Sequence, residues 1–350
     1  MAKIKNCIGV DFGLGGVKLV NLSRDKKPRL VTYGFTDRSP NELDTDWLAD
    51  PQATGALVRK ICDKAKVTSN GAVTALPIAS VFSSVISLPS SAAKELEAAV
   101  RWEAKKLIPL PLEEVVLDWK RLAPLPVVAK EGEKSKEQKT IEVLLTGAPQ
   151  DLVQKYVEIF KKAGLSLLSL ETESFAFIRS LVGNDPSPVA IVDIGAKKSN
   201  IVLVDRGIPF IARSVEVGGK NFTESVARAL NVPLEQAEEI KRNIADSEAM
   251  NNLPTLIKDN LTPLLNEIKY SLNVYRSRNE MTRPIEKIIL TGGSALLPKL
   301  ADYFNEFFNL RTFLGDPWAR LSYHTDLTPL LQSIGARFSV AIGLALREVE

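Results

Sequence analysis

At 350 residues the chain is long for a single core, so two or more domains or lobes are expected, and 45% apolar with 25% charged residues is the ordinary composition of a soluble globular chain. Forty-five basic against 42 acidic side chains leave a net charge of +3, which excludes the basic footprint of a nucleic-acid binder, and no run approaches the ~18 apolar residues expected of a membrane helix. The N-terminus reads as the lead into a strand rather than a signal peptide; two cysteines exclude a disulfide framework and point to a reducing compartment, and the lone His324 excludes histidine-cluster metal centres.

The first element is Ile8-Gly9-Val10-Asp11-Phe12-Gly13-Leu14-Gly15-Gly16-Val17-Lys18-Leu19-Val20. Two short apolar runs joined by a Gly-rich turn predict a strand–turn–strand hairpin. Residues 29–35 follow as a third strand, 36–50 as a polar loop, 53–65 as a helix with Leu57, Val58, Ile61 and Ala65 on one face, and 72–76 as a buried strand. Residues 81–88 alternate and close this block. Pro89-Ser90-Ser91 opens a new one, with Ser91 as N-cap of a helix over 92–108 that Pro109 ends. Leu96, Ala99, Val100 and Leu107 share a face of this helix. Glu103 falls within the same stripe, as a solvated edge residue or as a carboxylate lining a partner groove.

Strands are predicted over 115–122 and 141–146, separated by a Lys/Glu/Gly-rich exposed loop at 129–140. A helix over 151–163 with Gly164 at its C′ position, a strand over 165–170 and a helix over 174–181 follow. Gly183-Asn184-Asp185-Pro186-Ser187-Pro188 is the strongest linker signal. Directly after it the opening pattern returns: Ala190-Ile191-Val192-Asp193-Ile194-Gly195-Ala196-Lys197-Lys198-Ser199-Asn200-Ile201-Val202. Asp11 to Asp193 and Gly13 to Gly195 span the same sequence separation. A strand over 208–217 continues this meander. Helices are predicted over 221–230, 233–243 and 253–278, the last with a break at Pro263. A strand over 285–290 runs into Thr291-Gly292-Gly293-Ser294-Ala295, and helices over 298–307 and 334–349 end the chain.

A repeated strand–Asp-x-Gly–strand suggests two related lobes that offer their turns to one cleft. Turn glycines, Gly15 and Gly16 among them, let backbone approach a ligand, and successive amides there form an anion-binding concavity. Asp11 and Asp193 at the strand ends suit Mg²⁺ held through water, and Lys18 adds a point charge for phosphate. The strand–Gly-Gly–helix join at Gly292 and Gly293 suits a base or an α-phosphate. Two ordinary hairpins with turn-forming residues are the alternative reading.

These hairpins, with the later Gly-Gly-Ser join, resemble the phosphate-one, phosphate-two and adenosine motifs of the actin-like ATPase superfamily. Within it the chain is similar to the PilM family of type IV pilus assembly and, more distantly, to the cell-division protein FtsA. The similarity runs nearly end to end, through the segment from Glu103 to Val115 that contains Pro109-Leu110-Pro111-Leu112-Glu113-Glu114, through Glu171-Thr172-Glu173-Ser174-Phe175-Ala176, and through Tyr270-Ser271-Leu272. The resemblance implies an α/β actin-like fold of two ribonuclease-H-like lobes with an inserted FtsA-like subdomain. Residues 1–88 with 171–187 and 325–350 would form the first lobe, 89–170 the partner-binding insert and 188–324 the second lobe. It implies ATP with Mg²⁺, held by Asp11, Gly13, Gly15, Gly16, Lys18, Asp193, Gly195, Asn200, Gly292, Gly293 and Ser294. Glu238 and Lys241, in the Ala-Glu-x-x-Lys pattern, would contact ribose and base. It further implies a cytoplasmic protein bound peripherally to the inner membrane through the N-terminal segment of a PilN-like partner, in a groove expected at Leu96, Val100, Glu103 and Leu107. Neither nucleic acid nor direct membrane insertion is expected; self-association stays open. Where relatives carry a hydroxyl after the first Asp-x-Gly, this chain has Leu14-Gly15-Gly16, leaving backbone amides alone for phosphate. No group to act on water is assigned, so the expected activity is at most slow ATP hydrolysis. A small-molecule kinase of the same superfamily, an FtsA-like filament former and a nucleotide-free scaffold are the rival readings.

Overall fold

In the computed structural model the described residues are 6–122, 140–245, 255–277 and 283–349. The loop expected over 129–140 lies outside them except for Thr140, as do both ends of the helix expected over 253–278. The chain forms two compact units. The larger comprises Met1–Ile78 with Tyr156–Glu350, and the smaller Ala79–Lys155.

The larger unit begins with an antiparallel meander, β1 (Asn6–Gly13), β2 (Gly16–Ser23) and β3 (Arg29–Phe35). Helix α1 (Pro51–Lys64) follows, N-capped by Asp50, whose carboxylate accepts from Ala53 N–H at 2.9 Å. It leads to β4 (Gly71–Leu76), parallel to β1.

In the smaller unit β5 (Phe82–Pro89), helix α2 (Leu96–Leu107), β6 (Val115–Arg121) and β7 (Thr140–Pro149) form an antiparallel sheet of order β5-β7-β6 with one helix. Its core joins Val100, Ala104 and Ile108 to Ile86, Leu88, Val143 and Leu145. Ser90–Glu95, of which 92–95 were expected in the helix, form a 3-10 turn, so Ser91 is not the cap and α2 starts at Leu96.

The chain returns through α3 (Gln150–Lys162), with Gly164 in the left-handed region after it (φ 68°), and β8 (Ser166–Thr172), parallel to β4. Two strands therefore lie elsewhere than expected. The strand read at 81–88 pairs with β7 rather than closing the first lobe, and the strand read at 165–170 joins the first sheet rather than the insert. Alternation reveals a strand but not its sheet neighbour.

Helix α4 (Glu173–Phe177) continues as a π-turn over Ile178–Val182. The meander then recurs as β9 (Val189–Ile194), β10 (Ser199–Asp205) and β11 (Ile208–Val215). Helices α5 (Gly219–Leu230), α6 (Leu234–Ala245) and α7 (Thr255–Ser277) follow; α7 runs through Pro263 without the expected break. Strand β12 (Lys287–Thr291), a 3-10 turn at Gly293–Leu296, α8 (Leu300–Phe308) and β13 (Arg311–Leu314) complete the second sheet. The two sheets have the same order, β3-β2-β1-β4-β8 and β11-β10-β9-β12-β13. In each, three antiparallel strands are extended by two parallel ones.

The helix expected over 334–349 is a 3-10 turn at Gly335–Phe338, preceded by α9 (Thr328–Ile334) and followed by α10 (Ser339–Val349). Thr325–Val349 has the length and apolar composition of a membrane span, which the sequence reading overlooked; 67% of its most apolar window is buried inside the protein. Helix α10 lies against β1 so closely that a Cβ on Gly9 would sit 1.9 Å from the Ala341 carbonyl oxygen.

Candidate functional site

Register places the two repeats in equivalent positions. Asp11 faces Lys18 across β1–β2, and Asp193 faces Asn200 across β9–β10. The turns meet: a Cβ on Gly15 would lie 3.1 Å from Ala196 Cβ. Gly16 has φ 138° and its α-carbon abuts the Thr36 carbonyl, which only glycine tolerates. Gly13 leaves room for the Lys18 ammonium, which a Cβ there would meet at 2.6 Å.

Within this junction Lys18 Nζ stands 3.9 Å from Asp11 Oδ2, and both side chains are buried. The Asn200 amide donates to Asp193 Oδ2 (3.2 Å) and to Glu173 Oε2 (3.3 Å). Glu173 Oε2 also accepts from Ile78 N–H at 3.0 Å. Enclosure, then the neighbouring Asp11 charge, pushes the Asp193 carboxyl up to about 7 and the Glu173 carboxyl up to about 8. Enclosure also raises Asp11, against the pull of Lys18. Three carboxyls held above their usual range, beside one ammonium, form a pocket short of positive charge. Among the described residues no three carboxylate, thiol or imidazole groups converge tightly enough to hold a metal directly. Asp11 and Asp193 could hold Mg²⁺ only with water and phosphate oxygens as its other ligands.

Glu173 is the residue that sequence reasoning missed. It lies in a segment noted only for resemblance, yet it begins α4 directly after β8. The carboxyl ends of parallel strands are where α/β sheets gather ligands, and that is the signal that marks it.

The remaining predicted residues adjoin this junction. Gly292, at φ 89°, lies so close to the second turn that a Cβ would meet Asp193 Oδ1 and the Ile194 carbonyl at 2.5 Å. Ser294 Oγ donates to the Gly195 carbonyl (3.2 Å), which also accepts from Gly219 N–H (3.0 Å). Gly293 packs beside Arg337. Lys241, 7% exposed, donates to Glu238 (2.6 Å), Thr223 Oγ1 (2.9 Å) and the Gly219 carbonyl (3.2 Å). Burial draws its ammonium below the usual lysine range, against the opposing pull of Glu238. A cavity of about 270 Å³ opens beside it, lined by Arg38, Pro40, Glu235, Glu238, Glu239 and Arg242. The eleven residues predicted around the two turns and the Gly-Gly join, with Glu238 and Lys241 on α6, thus occupy one neighbourhood of the larger unit.

The four groove residues lie on α2 in the smaller unit. Val100 is fully buried in that unit's own core, and Leu96 packs against it. Leu107 is 40% exposed, and Glu103, partly exposed, pairs with Lys106 at 2.6 Å. Trp102 on the same helix is 67% exposed, and Leu110 and Val116 are also exposed.

Residues 9–349 match the family model described as type IV pilus assembly protein PilM. A solved structure titled PilM-PilN type IV pilus biogenesis complex is 30% identical, covers 99% of both chains and superposes with a TM-score of 0.82. The ethanolamine utilization protein EutJ from Carboxydothermus hydrogenoformans is 15% identical over 98% of this chain and 90% of its own, with a TM-score of 0.58. MreB5 of Spiroplasma citri, solved with AMPPNP, is 13% identical over 97% and 95%, with a TM-score of 0.52. The cell division protein FtsA of Borreliella burgdorferi is 25% identical over 59% of this chain, which spans 54% of that protein's length. These neighbours and the doubled sheet order give the chain an actin-like ATPase fold. Matched along nearly its whole length, the chain belongs to the PilM family of type IV pilus assembly proteins.

Proposed function

We propose that this protein is a nucleotide-binding adaptor of a type IV pilus assembly platform, taking ATP with Mg²⁺ between its two hairpin turns. The observation that carries the reading is the junction itself. Asp11 and Lys18 from one repeat and Asp193 and Asn200 from the other converge, with Glu173 beside them, at two touching glycine turns. Backbone amides of Gly13, Gly15, Gly16 and Gly195 would face the phosphates and Lys18 would balance their charge. Gly292, Gly293 and Ser294 would border the nucleoside, with Glu238 and Lys241 toward the ribose. Mg²⁺ would supply the positive charge that the three carboxyls lack, through its waters at Asp11 and Asp193.

In this reading Glu173 would orient the attacking water molecule. With its carboxyl raised to about 8 it is mostly protonated near neutral pH, so turnover would be slow until a cation restores the carboxylate.

The partner reading rests on likeness to the PilM-PilN complex. We assign the smaller unit as the insert that receives the N-terminal cytoplasmic segment of a PilN-like inner-membrane protein, with Trp102, Glu103 and Leu107 on α2 as its exposed contacts. Through that segment the protein would sit on the cytoplasmic side of the inner membrane. The three-part division expected from sequence becomes, in this reading, two lobes built on the two five-stranded sheets and one partner-binding insert.

Calorimetry with ATP and Mg²⁺ on the wild type and on Asp11→Ala and Asp193→Ala tests the nucleotide reading. Micromolar binding lost in both variants is the expected result; a wild type that takes up no nucleotide would overturn it.

A further inference from the structure

Residues 36–50, between β3 and α1, run from one hairpin to the other. Toward the first hairpin they are tied to its backbone carbonyls. Thr36 N–H donates to the Val17 carbonyl (2.9 Å), Arg38 N–H to the Gly15 carbonyl (3.1 Å) and the Trp47 indole to the Gly13 carbonyl (3.0 Å). The Arg38 guanidinium stacks 3.2 Å from the centre of the Trp47 ring and donates to the Thr45 carbonyl at 2.6 Å, folding the segment on itself.

Toward the second hairpin the ties, among the described residues, are between side chains. Asp44 accepts from Lys197 (2.8 Å) and Lys220 (2.7 Å), Asp37 pairs with Arg337, and Asn41 donates to Glu235. Lys197 lies in the β9–β10 turn, Lys220 opens α5 beside it, and Arg337 flanks Gly293. Two ammonium groups therefore share one carboxylate at the rim of the second turn. Lys198, next in the chain, is paired with Glu216 instead (2.7 Å). The Asp44 side chain is 59% exposed, and ion pairs that open to water are weak enough to exchange partners.

We propose that Asp44 is a built-in competitor for the nucleotide's phosphates. Without nucleotide its carboxylate bridges Lys197 and Lys220 and clasps the 36–50 strap to the second turn. A phosphate, carrying more charge than one carboxylate, takes both lysines over. The strap then comes free at Asp44 while its backbone anchors to the first turn hold. The arrangement rests on the nucleotide reading above and adds a regulated step to it: some affinity is spent on opening the clasp.

The test combines amide hydrogen exchange on the nucleotide-free protein with calorimetry of Mg²⁺-AMPPNP, on the wild type, on Asp44→Asn and on Asp63→Asn. Asp63, paired with Arg59 along α1, serves as a control. In Asp44→Asn, exchange within residues 36–50 should rise severalfold and AMPPNP should bind about three- to tenfold more tightly, with Asp63→Asn like the wild type. Unchanged exchange would show that Asp44 clasps nothing and would overturn the proposal. Raised exchange with unchanged or weaker binding would also overturn it, making Asp44 part of the closed nucleotide site rather than its competitor. Raised exchange with no AMPPNP binding in any variant would remove the nucleotide reading and the competition together, leaving a structural clasp.

Discussion

Glu173 and Asp193 share a single hydrogen-bond donor, the Asn200 amide, at 3.3 and 3.2 Å. One carboxyl follows the last strand of the first sheet and the other ends the central strand of the second, so the two halves of the fold are joined at groups that titrate. Each holds its proton more tightly folded than unfolded, with ordinary values of 4.5 and 3.8 raised to about 8 and about 7. Folding then takes up protons between about pH 4 and pH 8, and stability falls as pH rises through that window. The penalty is absent below the unfolded values and complete above the folded ones. The thermal midpoint of the nucleotide-free protein should therefore drop by a few degrees between about pH 5.5 and about pH 8.5. Glu173→Gln should flatten the slope. An unaltered slope in that variant would show that the pH response arises elsewhere.

Removing the Lys241 ammonium leaves the Glu238 carboxylate, among the described residues, with Thr223 and Arg242 in a mostly enclosed place. Lys241→Ala should cost about 1–3 kcal/mol in denaturant unfolding and weaken ATP binding as well. Arg242→Ala removes a 63%-exposed partner of the same carboxylate and should cost less than about 0.5 kcal/mol. Equal costs for the two would contradict the burial argument.

Helix α2 has two faces with opposite expected behaviour. Val100→Asp places a charge in the core of the smaller unit and should unfold that unit, at a cost on the order of 3 kcal/mol or more. Leu107→Asp, on the exposed side, should change stability by less than about 0.5 kcal/mol while weakening binding of a PilN-derived N-terminal peptide. Peptide titrations with Leu107→Asp, Trp102→Ala and Glu103→Lys check the assignment, and unchanged affinity in all three would move the partner surface off α2.

The path of the chain was legible where one element suffices to define it. Both Asp-x-Gly hairpins, the helices at α1, α3 and α5 and the strand before Gly292 follow from apolar periodicity and turn residues. Sheet membership was not legible, because period-two alternation is silent about partners; β5 and β8 were each expected in the wrong company. Glu103 and Leu107 were read on the apolar stripe of α2, but the core takes Val100, Ala104 and Ile108, and the helix turns the other two outward. Glu173 carries no local signature at all. It becomes part of the site only because β8 runs parallel to β4 and β4 to β1, which brings three carboxyl ends together.

Gly343 sits where α10 meets α4, and a Cβ there would lie 1.9 Å from the Ala176 carbonyl oxygen. Since that oxygen belongs to backbone, relief requires the helix to move. Gly343→Ala should destabilise by about 1–3 kcal/mol, and Gly343→Val by more. A thermal midpoint like that of the wild type for both would mean that α10 rides further from α4 than described.

The two sheets repeat one path but not one charge. Opposite Asp11 stands a lysine, and opposite Asp193 a neutral amide. Between about pH 7 and about pH 8, where Glu173 keeps its proton and Asp193 has lost its own, the Asp11–Lys18 pair stands opposite a carboxylate faced by a neutral amide, and the second half-site carries the surplus negative charge. The cleft is therefore polarised from one half to the other. An incoming cation is drawn off centre, toward the second sheet, and a duplicated fold acquires a direction.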